Sequence, residues 1–176
     1  GLIPLFTYPE NFVEDLRILR RRRIPVALSA LGAPMIDMAD VDVVQMHFEQ
    51  AAGELMQHLL GLGHRRIAMI WGVGRSELGN DRVTTYRQAL MDAKLPYDPR
   101  WLITCGFGLR DGFQGAMTLL ELDDPPTAII GINDLIAFGA MQAVLRQGLR
   151  VPEDVSVARF DDTVLSGLLS PPLTTG

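Results

Sequence analysis

Hydrophobic positions recur along the chain in two patterns, one typical of helices and one typical of buried strands. Phe12, Val13, Leu16 and Leu19 follow helical spacing, whereas residues 66–71 form a short run dominated by apolar side chains. The same patterns predict further strands over residues 1–6, 25–28, 41–46, 101–105, 127–131 and 155–160. Further helices are predicted over residues 49–60, 81–93, 110–122 and 134–147.

This alternation predicts an α/β fold in which a parallel sheet carries helices on both faces, giving three-layer αβα lobes. The chain has 176 residues, more than the roughly 100–150 of a typical single domain, so one large core and two smaller cores both fit its length. It opens on Gly1, Leu2 and Ile3 without an initiating Met, which suggests a fragment of a longer chain.

Composition narrows the classes of function. No apolar run reaches the roughly 18 residues of a membrane-spanning helix, and the chain does not open on a signal peptide pattern. The 21 acidic residues exceed the 16 basic ones, and a net charge of −5 argues against nucleic-acid binding by this segment. Cys105 is the only cysteine, which excludes an internal disulfide or a cysteine zinc site and suits a cytoplasmic location.

Four consecutive arginines, residues 20–23, form a basic run that has two interpretations. One is a patch for nucleic acid. The other, which we prefer, is the last turn of a helix, where the helix dipole favours cations, followed by Pro25 as a stop.

Polar residues follow three predicted strands, at the sheet edge where open parallel sheets bind ligands. Arg82 lies in the first turn of one helix, and Asn133 and Asp161 directly follow two other strands. An arginine can hold adjacent hydroxyls or a carboxylate in a bidentate fork, although it is also common in surface ion pairs. Asp134, the residue after Asn133, can equally be the N-terminal cap of the following helix. Phe107 is either an aromatic wall of the cleft or part of the core. Together these positions predict a cleft for a small ligand.

Motifs of catalytic and cofactor sites are missing. Residues 72–79 resemble a dinucleotide fingerprint only loosely, because the third glycine follows four residues instead of two and the next strand ends without an acid. A flexible loop is the preferred interpretation. There is no serine nucleophile elbow and no phosphate-binding loop, and His47, His58 and His64 lack the spacing of a metal pair. We therefore expect neither an enzyme nor a cofactor or metal site.

Several short motifs follow one another along the chain: Gly63-His64-Arg65-Arg66-Ile67-Ala68, Arg82-x3-Tyr86-x2-Ala89-Leu90, Gly112-Phe113, Pro125-Pro126-Thr127-Ala128, Asn133-Asp134-x2-Ala137-x-Gly139-Ala140, Gly148-Leu149-Arg150-Val151-Pro152, Phe160-Asp161-Asp162 and Pro171-Pro172-Leu173-Thr174-Thr175. In this order and spacing they resemble the hallmarks of LacI/GalR-type bacterial transcription regulators, and the resemblance runs through essentially the whole chain.

The resemblance implies a two-lobed core similar to periplasmic sugar-binding proteins, with residues 1–46 in a partial N-terminal lobe and residues 47–176 in the C-terminal lobe. It implies a small effector, sugar-like or another metabolite, bound between the lobes of a homodimer. DNA binding would fall to a helix-turn-helix headpiece outside this chain. The alternative is a periplasmic sugar-binding receptor of a transport system, and the motifs near the C-terminal end favour the regulator.

By position, the resemblance implies that Arg82 clamps the effector, that Asp161 binds its hydroxyls or amines, that Asn133 is a polar cleft residue and that Phe107 is the aromatic wall. The sequence departs from the family pattern at three places. Ala30 stands where many members have an acidic residue, His47-Phe48 stands where Asp-Asn is common, and Arg159 stands where a glycine is usual. Ala30 removes one expected contact with the effector, which argues against a typical hexose as the effector, and Arg159 would favour an acidic effector.

Overall fold

The computed structural model describes residues 1, 3, 12–30, 42–45, 48–72, 80–161 and 173–175. The chain divides into two compact units, Gly1–Phe48 with Gly74–Asp81, and Glu49–Val73 with Arg82–Gly176. The sequence predictions that fall on residues 4–11, 31–41, 73–79 and 162–172, and the departure at His47, lie outside the described residues.

The smaller unit contains one helix and a pair of parallel strands. Helix α1 spans Phe12–Arg21, and strand β1 (Ala27–Ala30) pairs in parallel with β2 (Asp42–Gln45). Within α1, Leu16 is buried, while the basic side chains of the last turn are exposed. The predicted helix and second strand are confirmed, and β1 begins two residues later than the sequence pattern indicates.

The larger unit is built on a five-stranded parallel sheet in the order β4-β3-β5-β6-β7. Its elements are α2 (Glu49–Gly61), β3 (Ile67–Gly72), α3 (Asn80–Asp92), β4 (Leu102–Cys105), α4 (Leu109–Leu120), β5 (Ala128–Gly131), α5 (Asp134–Arg146), β6 (Ser156–Arg159) and β7 (Thr174–Thr175). Every predicted helix and strand of this unit is present, with bounds that differ by at most two residues. Strand β7 was not predicted.

Helices cover both faces of the sheet. The chain moves from β3 to β4 in one direction and then through β5 to β6 in the other, so right-handed connections place α3 on one face and α4 and α5 on the opposite face. Helix α2 lies beside α3, where Gly53 approaches the side chain of Thr85. Because both faces are covered, the central strands are almost wholly buried, with Ile67, Ala68 and Met69 at 0% exposure. The predicted three-layer α/β class is confirmed.

Within the described part of the chain, none of the helices combines the length and the hydropathy that a membrane crossing requires.

Candidate ligand-binding site

The strand order predicts a ligand position at the carboxyl edge of the sheet in the larger unit. The chain leaves β3 towards β4 on one side and leaves β5 towards β6 on the other, so the helices that follow these two neighbouring strands, α3 and α5, lie on opposite faces. Ligands of open parallel sheets bind where the connections diverge in this way. The four residues expected to bind a ligand all lie at or near this edge.

Arg82 is held rigidly at this edge. Its side chain is 7% exposed, and its guanidinium carbon lies 5.9 Å from the centroid of the Trp71 ring and 5.3 Å from that of Phe160. Its Nη1 donates a hydrogen bond to the main-chain oxygen of Ile132 at 3.2 Å. Cation–π contacts and a hydrogen bond orient the guanidinium, so an exposed surface ion pair is the wrong interpretation. The two flanking aromatic residues were not predicted, although each stands at the end of a predicted strand.

Asp161 lies directly after β6 and is half-buried. The main-chain amide of Asp134, the first residue of α5, donates a hydrogen bond to its carboxylate. The pKa of Asp161 is raised above its ordinary value, first by burial and then by the negative charge of Asp134, while Arg82 and Arg159 act in the opposite direction. The Asp161 carboxylate, which follows β6, and the Arg82 guanidinium, which lies on α3, thus influence each other electrostatically at this edge of the sheet.

Asn133 caps α5. Its Oδ1 accepts a hydrogen bond from the amide of Ile136 at 2.8 Å, and its Nδ2 donates one to the main-chain oxygen of Phe107 at 3.1 Å. The cap of this helix is therefore Asn133, not Asp134. Both ends of the amide are engaged with the protein, and a direct role of Asn133 with a ligand stays a prediction.

Phe107 presents its ring at the end of β3. The residue is 53% exposed, and its ring occupies the space where a side chain at position 72 would begin, with Cζ 2.7 Å from the position of a Cβ. Gly72, considered above as part of a nucleotide loop, is thus a glycine because an aromatic ring lies against its backbone. A core position is the wrong interpretation of Phe107, and an aromatic wall fits its exposure.

Arg159 does not offer its charge to a ligand. It is 2% exposed, and its Nη1 donates to the Asp134 carboxylate at 2.5 Å and to the main-chain oxygen of Asp161. The expectation that Arg159 favours an acidic effector therefore loses its basis, because the protein itself supplies the counter-charge.

Cys105 has the properties of an ordinary structural thiol. Burial and the nearby charge of Asp111 raise its pKa to about 11, so the thiol stays protonated at neutral pH. Among the residues that the structure describes, no three His, Cys, Asp or Glu side chains come together in a group that could hold a metal ion.

The motif that begins at Gly63 has a structural role. Gly63 adopts φ +94 and ends the turn after α2, while Arg66 donates to the main-chain oxygen of Pro125 at 2.8 Å. His64 Nδ1 lies 2.9 Å from Thr127 Oγ1. The motif therefore joins the start of β3 to the start of β5.

We expect the stability of the chain to fall as pH is lowered through the titration of His64. Burial and the neighbouring His58 lower the pKa of His64 below its ordinary 6.5, so the native state disfavours its protonated form. Neutral His64 contributes fully to the stability of the native state above its ordinary pKa of 6.5. This contribution is lost as pH falls through 6.5 towards the lower pKa that His64 has in the native state. Between pH 7.5 and 5, the Tm of the wild type should fall more steeply with decreasing pH than the Tm of His64→Gln. Curves of Tm against pH that run parallel for the two proteins would contradict this.

Comparison with known proteins places this architecture in a family. Residues 56–175 match the model of a periplasmic binding protein-like domain. The HTH-type transcriptional regulator DegA of Bacillus subtilis is 36% identical over 160 residues, covering 91% of this chain and 46% of that protein. The ribose operon repressor of Haemophilus influenzae is 39% identical over 117 residues, covering 66% of this chain and 35% of that protein. The chain therefore spans less than half the length of these relatives.

A solved structure agrees with this assignment. The transcriptional regulator LacI from Bacillus cereus subsp. cytotoxis aligns with a TM-score of 0.85 at 31% identity, covering 99% of this chain and 61% of that chain. Fold and comparisons thus define a periplasmic-binding-protein-like α/β core, with the candidate site at the carboxyl edge of its sheet. The chain belongs to the LacI/GalR family, as part of the effector-binding core.

Proposed function

We propose that this chain is the ligand-sensing part of a cytoplasmic, homodimeric transcriptional regulator. The observation that carries the proposal is the convergence of Arg82, Asp161 and the exposed Phe107 ring at one edge of the sheet. A guanidinium donates hydrogen bonds to adjacent hydroxyls of a ligand, and a carboxylate accepts hydrogen bonds from them. An aromatic side chain can stack on the ring of a ligand. The effector class that fits is a small, polar, ring-shaped metabolite, sugar-like or similar.

The domain assignment belongs to the same proposal. Residues 1–46 contribute to the N-terminal lobe and residues 47–176 form the C-terminal lobe, with the effector between them. DNA is bound by a helix-turn-helix headpiece outside this chain. The effector changes operator affinity by binding one arrangement of the lobes more tightly than the other, since a ligand with equal affinity for both shifts nothing. The relatives are named as regulators, which supports this function over a transport receptor or an enzyme.

A thermal-shift screen of the regulator that contains this chain tests the proposal. Sugars, nucleosides and organic acids are added one at a time, and a cognate effector at 100 times its Kd stabilises the native state by about 2.7 kcal/mol. For a cooperative unit of 150–250 residues, which is the size of this chain, that raises Tm by roughly 5–10 °C, and the shift is smaller if the whole regulator unfolds as one larger unit. The same compound should change retention of an operator fragment on the regulator. A compound that is chemically converted, or one that raises Tm without any effect on DNA retention, would contradict the proposal.

A further inference from the structure

We propose that Arg159 is a positioning residue that fixes both the charge and the place of the Asp161 carboxylate. The proposal rests on the function proposed above for the significance of Asp161, but its geometry and its test are independent of any effector.

The contacts of Arg159 join the end of β6 to the beginning of α5. Arg159 is the last residue of β6, and its Nη1 donates both to the Asp134 carboxylate and to the main-chain oxygen of Asp161. The main-chain amide of Asp134 donates in turn to the Asp161 carboxylate. These hydrogen bonds link three residues, so Asp161 is held at its main-chain oxygen by Arg159 and at its carboxylate by the amide of Asp134.

The same contacts set the local charge. The Asp134 side chain is 13% exposed and that of Arg159 is 3% exposed, so their attraction is weakly screened by water. Without Arg159, the carboxylates of Asp134 and Asp161 would face each other at a half-buried site, an arrangement in which one of two carboxylates takes up a proton. Arg82, on α3, also lowers the pKa of Asp161, and its effect is larger than that of Arg159. Arg82 has its own contacts with Trp71 and Phe160, whereas Arg159 is the cation that also binds the main chain of Asp161.

A protonated Asp161 would be a different ligand-binding group. An ionised carboxylate accepts hydrogen bonds from hydroxyls and amines, whereas a protonated one also donates. Arg159 thus acts on the effector only through Asp161, which is consistent with its own side chain being buried.

The test is a pH titration of the Asp161 carboxyl carbon by NMR in the full 176-residue chain labelled with ¹³C-aspartate, with the resonance assigned from Asp161→Asn. Four forms are compared, the wild type, Arg159→Met, Asp134→Asn and the double variant. We expect Arg159→Met to raise the titration midpoint of Asp161, Asp134→Asn to lower it, and the double variant to return it close to the wild-type value. An unchanged midpoint in Arg159→Met would overturn the proposal.

One further comparison and one further variant keep the test decisive. Arg159→Met leaves an unneutralised Asp134 and can prevent folding, whereas the double variant removes both charges together. Adding Arg159→Met to Asp134→Asn should then still raise the midpoint, and no change in that comparison counts against the proposal. Arg159→Lys keeps the cation and should hold the midpoint near the wild-type value. The titration contains no effector, so a negative result in it would contradict the role of Arg159 without affecting the proposed ligand-sensing function. A negative thermal-shift screen would contradict the proposed function without affecting the role of Arg159.

Discussion

Replacing Arg82 with methionine is expected to weaken effector binding at least about 100-fold while the chain keeps its fold. The guanidinium is already oriented between Trp71 and Phe160, so its hydrogen bonds to a ligand form without the cost of ordering a long side chain. Loss of charge-assisted hydrogen bonds of this kind corresponds to about 2.7 kcal/mol of binding free energy. Methionine fills much of the same volume but leaves the main-chain oxygen of Ile132 without this donor, so we expect the unfolding free energy to fall by about 1–3 kcal/mol while the fold is kept.

Calorimetric titration with the effector found by the thermal-shift screen measures this loss. Arg87→Met is the matched control, because Arg87 lies on the same helix but is exposed and stacks on Tyr97 at 5.0 Å from the ring centroid. Its affinity for the effector should equal that of the wild type. An Arg82→Met protein that binds with wild-type affinity would show that the assigned site is wrong.

Adding a single methyl group at Gly112 or Gly139 is expected to destabilise the larger unit by about 3 kcal/mol. The two helices α4 and α5 approach so closely that a Cβ at Gly112 would meet the main chain of Ile136, with its Cα at 2.6 Å. A Cβ at Gly139 would meet the main chain of α4, with the nitrogen of Phe113 at 2.7 Å. Because these neighbours are backbone atoms, the helices themselves must move apart, and the packing between them is lost.

Urea unfolding of Gly112→Ala and Gly139→Ala checks this expectation. The matched control is Gly61→Ala, since Gly61 also lies in a helix but faces open space where a methyl group would stand. Alanine there should be neutral or stabilise by up to about 1 kcal/mol, through its higher helix propensity. Equal stabilities of all three variants would show that the two helices are not packed through these glycines.

The candidate site could be found from the sequence only in part. The sequence predicted that Arg82 and Asp161 lie at one edge of the sheet, and the structure has them there, because the carboxyl ends of parallel strands meet at one edge. The sequence offered Asp134 as the cap of α5, whereas the structure has Asn133 in that position, since either side chain can cap a helix and only the backbone geometry selects between them. Trp71 and Phe160 were missed because their contact with Arg82 depends on which strands are neighbours in the sheet.

Helix ends show the same division. Helix α2 was predicted over residues 49–60 and ends at Gly61, and the turn after it uses Gly63, because glycine readily adopts a positive φ. Helix α3 was predicted to end at residue 93, and it ends at Asp92 with the following turn closed by Lys94 at φ +55. A lysine has no local preference for that conformation, so the turn is imposed by the packing of the chain around it.

The sequence by itself determined the α/β alternation, the bounds of most elements and the edge at which a ligand would bind, because hydrophobic periodicity and chain direction are local properties. The tertiary structure alone decided what Arg159 does. From sequence it was a cation near a crevice, and its proposed meaning was an acidic effector. In the fold it lies 2.5 Å from Asp134, a residue 25 positions earlier in the chain, because β5 and β6 are neighbours. A charge acts on whatever lies nearest in space, and that distance is fixed only when the sheet is assembled.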